Sequence, residues 1–174
     1  FCKLTQITIP QSVVSISDGA FAGCSALKAV ALPEGLEYVG IQAFAGCSSL
    51  ESVELPKGVQ YIGARAFGTY MTVTKHPDEY DTCEKLKRAV LPTQLGSVPE
   101  RLFIDCCALE AVSLPDTVTE IGNSAFLGCS ALKELRLPTQ LKRIGDRAFW
   151  KCCSLTQLDI PDTVTEVGRQ AFNL

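Results

Sequence analysis

A period of 23 residues governs this chain, and a fixed internal period of about 20 to 50 residues commits a sequence to a stacked-repeat architecture before any single element is assigned. The prolines of the Leu-Pro and Ile-Pro dipeptides fall at Pro10, Pro33, Pro56, Pro92, Pro115, Pro138 and Pro161. Every interval is 23 residues except the one from Pro56 to Pro92, which is 13 longer. Phenylalanines keep the same intervals at Phe21, Phe44, Phe67, Phe103, Phe126, Phe149 and Phe172, and cysteines at Cys24, Cys47, Cys83, Cys106, Cys129 and Cys152. The extra residues therefore lie between Phe67 and Cys83. Without them the 174-residue chain is seven periods long.

Each unit reads Leu-x-x-Val-x-Leu-Pro, then an apolar position, Ile-Gly, and Ala-Phe-x-x-Cys. Leu27, Val30, Leu32, Pro33, Leu36, Val39, Gly40, Ala43, Phe44 and Cys47 show it in the second unit. Apolar positions two apart are the alternation of a short strand, and the proline that follows cannot donate to a ladder and ends it. The glycine is expected to permit the next turn, and Ala-Phe-x-x-Cys suits one helical or 3-10 turn. About six large side chains per unit, at roughly 1.5–3 kcal/mol each, fall short of the roughly 1.5 kcal/mol per residue needed to order the chain, so a lone unit does not fold. Stacked in register, the units share one core. The expected fold is a β-rich α/β solenoid, with one short parallel strand per 23-residue rung and short helical or 3-10 turns on the other side. It forms a single domain over residues 1–174, with about seven rungs and an insertion within 68–82.

Composition supports burial and removes several function classes. With 47% hydrophobic and 20% charged residues, the chain can bury enough apolar surface to be folded. Sixteen Lys and Arg against nineteen Asp and Glu provide no basic excess for phosphate backbones, so nucleic acid is not an expected partner. The longest apolar runs are four to six residues, far short of the about 20 that span a bilayer.

The Leu-x-x-Val-x-Leu core resembles the leucine-rich repeat. The added Pro, Ile-Gly and Ala-Phe-x-x-Cys make it similar to the BspA-like class, as at Leu109, Val112, Leu114, Pro115, Ile121, Gly122, Ala125, Phe126 and Cys129. The resemblance covers all seven units. It implies a right-handed coil and a cell-surface or secreted protein used in adhesion or protein binding, with no shared active site. The fourth unit departs from the pattern, with Pro99 for the glycine and Leu102 for the alanine.

Nine cysteines invite a metal or disulfide reading. Six of them occupy one repeat position, the behaviour of a small buried hydrophobe. Adjacent rungs bring Cα atoms within disulfide range, which leaves two readings for Cys106, Cys107, Cys129, Cys152 and Cys153: free thiols or an oxidised pair. No Cys-x-x-Cys spacing provides a zinc site, and no metal or cofactor is expected. The only histidine, His76, lies in the insertion without a nucleophile motif, so no enzyme is expected.

Recognition is then left to the surface. The residues between the inward apolar positions form columns on the exposed strand face. One column, Thr5, Lys28, Glu51, Lys87, Glu110, Lys133 and Thr156, alternates in charge and reads first as register control across adjacent strands. The candidate binding residues on that face are Arg88, Val90, Ala111, Ser113, Glu134 and Arg136. A second candidate is the insertion with Tyr70, Met71, His76 and Tyr80, since insertions in solenoids emerge as loops and aromatic anchors on loops suit binding. The leading expectation is a non-catalytic protein-binding or adhesion scaffold, extracellular or on the cell surface by resemblance, whose partner is a protein ligand or a neighbouring subunit. The alternative is a structural subunit or spacer in a larger assembly. Rungs without polar caps expose apolar side chains, so more chain or a partner is expected to cover them.

Overall fold

The computed structural model describes residues 3–69 and 82–173. They form a parallel β-solenoid of about seven turns, each rung beginning at Leu4, Leu27, Leu50, Leu86, Leu109, Leu132 or Leu155. The strands are β1 (Gln6–Thr8) and β2 (Ser15–Ile16) in the first rung, β3 (Ala29–Ala31) and β4 (Tyr38–Val39) in the second, and β5 (Ser52–Glu54) and β6 (Tyr61–Ile62) in the third. The fourth and fifth rungs hold β7 (Arg88–Val90), β8 (Ser97–Val98), β9 (Ala111–Ser113) and β10 (Glu120–Ile121), and the last two hold β11 (Arg143–Ile144) and β12 (Glu166–Val167). Each pairing is parallel and joins neighbouring rungs, as in Arg88↔Ala111 and Ile121↔Ile144.

Two expectations are corrected. The first five rungs carry two strands each, the second being the two-residue pair before the repeat's glycine position, in which, as in β4 and β6, one side chain faces out and one in. Two residues are too few to show a period, so the alternation of this strand was invisible. In the sixth rung the first strand position keeps only the bridge Ala111↔Glu134.

The helical or 3-10 turns are also absent: no helix occurs among the described residues. The reason is in the amides of the Ala-Phe arc. Alternate N–H groups there donate to the next rung: Gln42 to the Ala64 carbonyl at 3.0 Å, Phe44 to Ala66 at 2.8 Å and Gly46 to Gly68 at 3.1 Å. Those between them, on Ala43, Ala45 and Cys47, donate three residues back. A helix aims every amide along its own chain, whereas this arc spends half of its amides on its neighbour. Left-handed residues make the alternation possible. They recur two places before the phenylalanine, at Gln42, Arg65, Arg101, Ser124, Arg147 and Gln170, with φ between 54° and 57°.

The repeat glycine consequently has a different task from the turn expected of it. Gly63 does not have positive φ, but a Cβ there would stand 2.3 Å from the Ile41 nitrogen and 2.5 Å from its Cα. The residue is small because the neighbouring rung's backbone passes against it. Its N–H also joins the ladder, donating to the Val39 carbonyl at 2.8 Å.

The core is one continuous column of buried leucine, isoleucine, valine, phenylalanine and cysteine. The seven repeat phenylalanine rings stack face to face along it, with successive centroids 5.1 to 5.9 Å apart.

Candidate functional site

The strand face is built by alternation. In β5, β7 and β9 the central residue, Val53, Ala89 or Val112, is buried and its two neighbours are exposed. Register then sets Arg88 beside Ser52 and Ala111, and Val90 beside Glu54 and Ser113. The bridge adds Glu134 beside Ala111. All six strand-face candidates, Arg88, Val90, Ala111, Ser113, Glu134 and Arg136, are exposed on this one face, and Val90 is 40% exposed. Arg136 reaches Asp116 at 3.6 Å, an exposed pair of little energetic weight. The face opens into a groove of about 1070 Å³ where the last two rungs part, bounded by Lys133–Leu137 on one side and 154–161 on the other. Glu134 and Arg136 stand on its wall.

The other four candidates, Tyr70, Met71, His76 and Tyr80, lie outside the described residues. The structure does show how the insertion is anchored at its start. Thr69 is 5% exposed, and its hydroxyl donates to Asp105 Oδ2 at 3.0 Å, while its N–H meets the Ile104 carbonyl at 3.2 Å.

Sequence reasoning missed the second sheet and the side chains on it. Tyr38 and Tyr61 stack there with centroids 4.8 Å apart and planes 7° from parallel. Arg143 lies between two carboxylates, donating through Nε to Glu166 at 3.1 Å and through Nη1 to Glu120. Trp150, on the arc, has the Arg147 guanidinium 4.9 Å from its ring centre. A signal was present for the first two groups, since each set of residues is spaced by 23.

The cysteine column is chemically quiet. The Cys106, Cys129 and Cys152 thiols donate to the carbonyls of Phe67, Phe103 and Phe126 at 3.1 to 3.2 Å, each carbonyl belonging to the preceding rung's arc. Burial pushes Cys106 and Cys129 well above the ordinary value of 9.0 and Cys152 up to about 12, so these groups are thiols, not nucleophilic thiolates, at neutral pH. Cys83, Cys106, Cys129 and Cys152 are buried free cysteines, whereas Cys107 and Cys153 are exposed. Ellman's reagent is therefore expected to label Cys107 and Cys153 within minutes in the native chain and to reach Cys83, Cys106, Cys129 and Cys152 only after denaturant is added. Rapid native labelling of a buried-column cysteine, read by peptide mapping, would contradict this packing. The linkage has a definite sign. The folded state holds these protons more tightly than the unfolded chain, so stability is full below about pH 9 and falls as pH rises from there toward the folded values. A melting temperature that stays constant between pH 8 and pH 11 would argue against it.

Comparison with known proteins agrees with this geometry. A family model described as the BspA type leucine rich repeat region matches in six copies over residues 1–77 and 76–174. A leucine-rich repeat protein from T. pallidum superposes with a TM-score of 0.82 at 32% identity, covering 95% of this chain and 74% of that one. Another, from Eubacterium ventriosum, superposes with a TM-score of 0.84 at 27% identity, covering 97% of this chain and 42% of that one. No curated protein matches. With the repeat, the family model and both superpositions in agreement, this chain belongs to the BspA-type leucine-rich-repeat family.

Proposed function

We propose that the chain is a non-catalytic protein-binding or adhesion scaffold, part of a cell-surface or secreted leucine-rich-repeat protein, and that it recognises its partner on the first-sheet strand face. The observation that carries the reading is that face itself. Six exposed side chains of small or mixed charge, on consecutive rungs in fixed register, run into a groove of about 1070 Å³. Rigid ladders preorganise such a surface, which lowers the ordering cost of association. Extended solenoid faces serve as binding surfaces generally. Small residues at Ala111 and Ser113 let a partner's backbone come close, and Arg88, Glu134 and Arg136 set polarity around them. Cell-surface placement rests on the family.

An array of extracellular proteins probed with the labelled chain tests the reading, using the wild type, Arg88→Glu/Arg136→Glu, and a chain lacking residues 69–81. A binder of the wild type is expected to lose at least about tenfold in affinity on double charge reversal, since each reversed contact replaces attraction by repulsion. Loss on deletion alone would move the site to the insertion. Unchanged binding by both variants would defeat the assignment to these residues, and a chain that binds nothing on the array would favour the spacer alternative.

A further inference from the structure

The second sheet is open between the third and fourth rungs. β6 and β8 share no hydrogen bond, and no Cα of one lies within 8 Å of a Cα of the other. Adjacent strands in a ladder stand about 4.8 Å apart, and two steps span about 9.6 Å, the room for one additional strand. The first sheet is closed at the same junction, with β5 paired to β7 over three residues. The arc there is stretched: its three bonds, from Arg65, Phe67 and Thr69, measure 3.2 to 3.3 Å, against 2.7 to 3.0 Å for the three that follow from Arg101, Phe103 and Asp105.

Pro99 explains the opening. Glycine N–H groups at this position in other rungs donate to the preceding strand at 2.8 to 2.9 Å, from Gly63 to Val39 and from Gly122 to Val98, for example. Proline has no N–H to give, and it brings a Cβ and ring to a place where the glycines have no room for a methyl group. The cleft left behind measures about 330 Å³, with Gln60, Tyr61 and Ile62 on one wall and Gly96, Ser97 and Pro99 on the other. Its walls carry backbone groups that the ladder uses elsewhere. Glu37, the equivalent of Gln60 one rung earlier, accepts from Gln60 and Tyr61, and Gly96 accepts from Thr119. The Gln60 carbonyl and the Gly96 N–H, by contrast, have no hydrogen-bond partner among the described residues.

We propose that this cleft receives an extended peptide segment of a partner protein as an added strand between β6 and β8. The polarity of the walls selects that occupant. An acceptor stands on one side and a donor on the other, and a single extended backbone carries the complement of both along its two edges, as strand addition does at sheet edges generally. Side-chain preference follows from register. Tyr61 is 45% exposed and stacked on Tyr38, and the column beyond it continues with Ser97, so an aromatic residue at the outward position of the added strand extends the stack. The inward position meets Ile62 and Leu95 on the cleft's lining and takes an aliphatic side chain. This site is on a different sheet from the one proposed above and stands or falls separately.

Fluorescence anisotropy of a labelled, end-blocked Thr-Val-Tyr-Val-Thr peptide tests it on the whole chain. Saturable binding is expected, weakened about tenfold or more by Pro99→Gly, which restores the ladder donor, and by Tyr61→Ala, while Arg88→Glu/Arg136→Glu leaves it unchanged. A peptide with N-methylated backbone amides, tested on the wild type, is expected not to bind, which keeps the proposal testable if Pro99→Gly fails to fold. The Gly96 amide is expected to exchange within minutes in the free chain and to slow when the peptide is bound. Absence of saturable binding, equal binding by the N-methylated peptide or by folded Pro99→Gly, or a Gly96 amide already protected in the free chain would overturn the proposal.

Discussion

Replacing Phe103 by alanine is expected to lower the unfolding free energy by about 4 kcal/mol. The ring is fully buried and lies between Phe67 at 5.9 Å and Phe126 at 5.7 Å, so the substitution removes a large apolar side chain and two stacking contacts together. The cavity cannot collapse easily, because the flanking backbones are fixed by bonds such as Phe103 N–H to the Ala125 carbonyl at 2.9 Å. A nearest-neighbour stack predicts a second effect. Rungs coupled through the missing ring begin to unfold separately, so the urea transition broadens as well as shifting. Phe172, partly buried and stacked on one ring, Phe149, among the described residues, is the contrast: its alanine variant is expected to lose about half as much. Equal losses at Phe103 and Phe172, with unchanged transition widths, would mean that the stack does not couple the rungs.

The second large effect is expected at Gly63. Alanine there places a methyl group 2.3 to 2.6 Å from the backbone of Ile41 and Gly40, atoms that cannot step aside without parting two rungs, and a loss of about 3 kcal/mol is expected. Gly96→Ala provides the control. A Cβ at Gly96 meets nothing within 4 Å, and its φ is not positive, so the variant is expected to be neutral or more stable by about 0.5 kcal/mol through the unfolded chain. Equal destabilisation at the two positions would refute close approach as the reason for the repeat glycine. Pro99 is the natural experiment on the same position, since the second sheet is open where it stands.

The contrast between these glycines also indicates which parts of the molecule were legible in the sequence. Anything that repeats as a side-chain property was readable: the period, the first strand with Val53 or Val112 pointing inward, the phenylalanine column and the buried cysteines. The candidates on the strand face came from the same alternation and lie together. What escaped was carried by the backbone. The second ladder uses strands of two residues, in which no period exists. The helix-free arc depends on left-handed φ at Gln42, Arg65 and Arg147, residue types that do not announce that conformation as glycine would. Pro99 was visible as an exception in the pattern, but its consequence is the loss of one amide and one rung contact, which appears only when neighbouring rungs are stacked.

Photo-cross-linking tests most directly the claim that this scaffold recognises its partner on the first-sheet strand face. A benzophenone side chain is placed at Ala111 in one chain and at Lys142, exposed next to the second sheet, in another, and each is irradiated with a binder taken from the extracellular array. Cross-linking is expected from Ala111, lost when Arg88→Glu/Arg136→Glu is added, with little from Lys142. Equal cross-linking from both positions, or cross-linking from Lys142 alone, would contradict that claim.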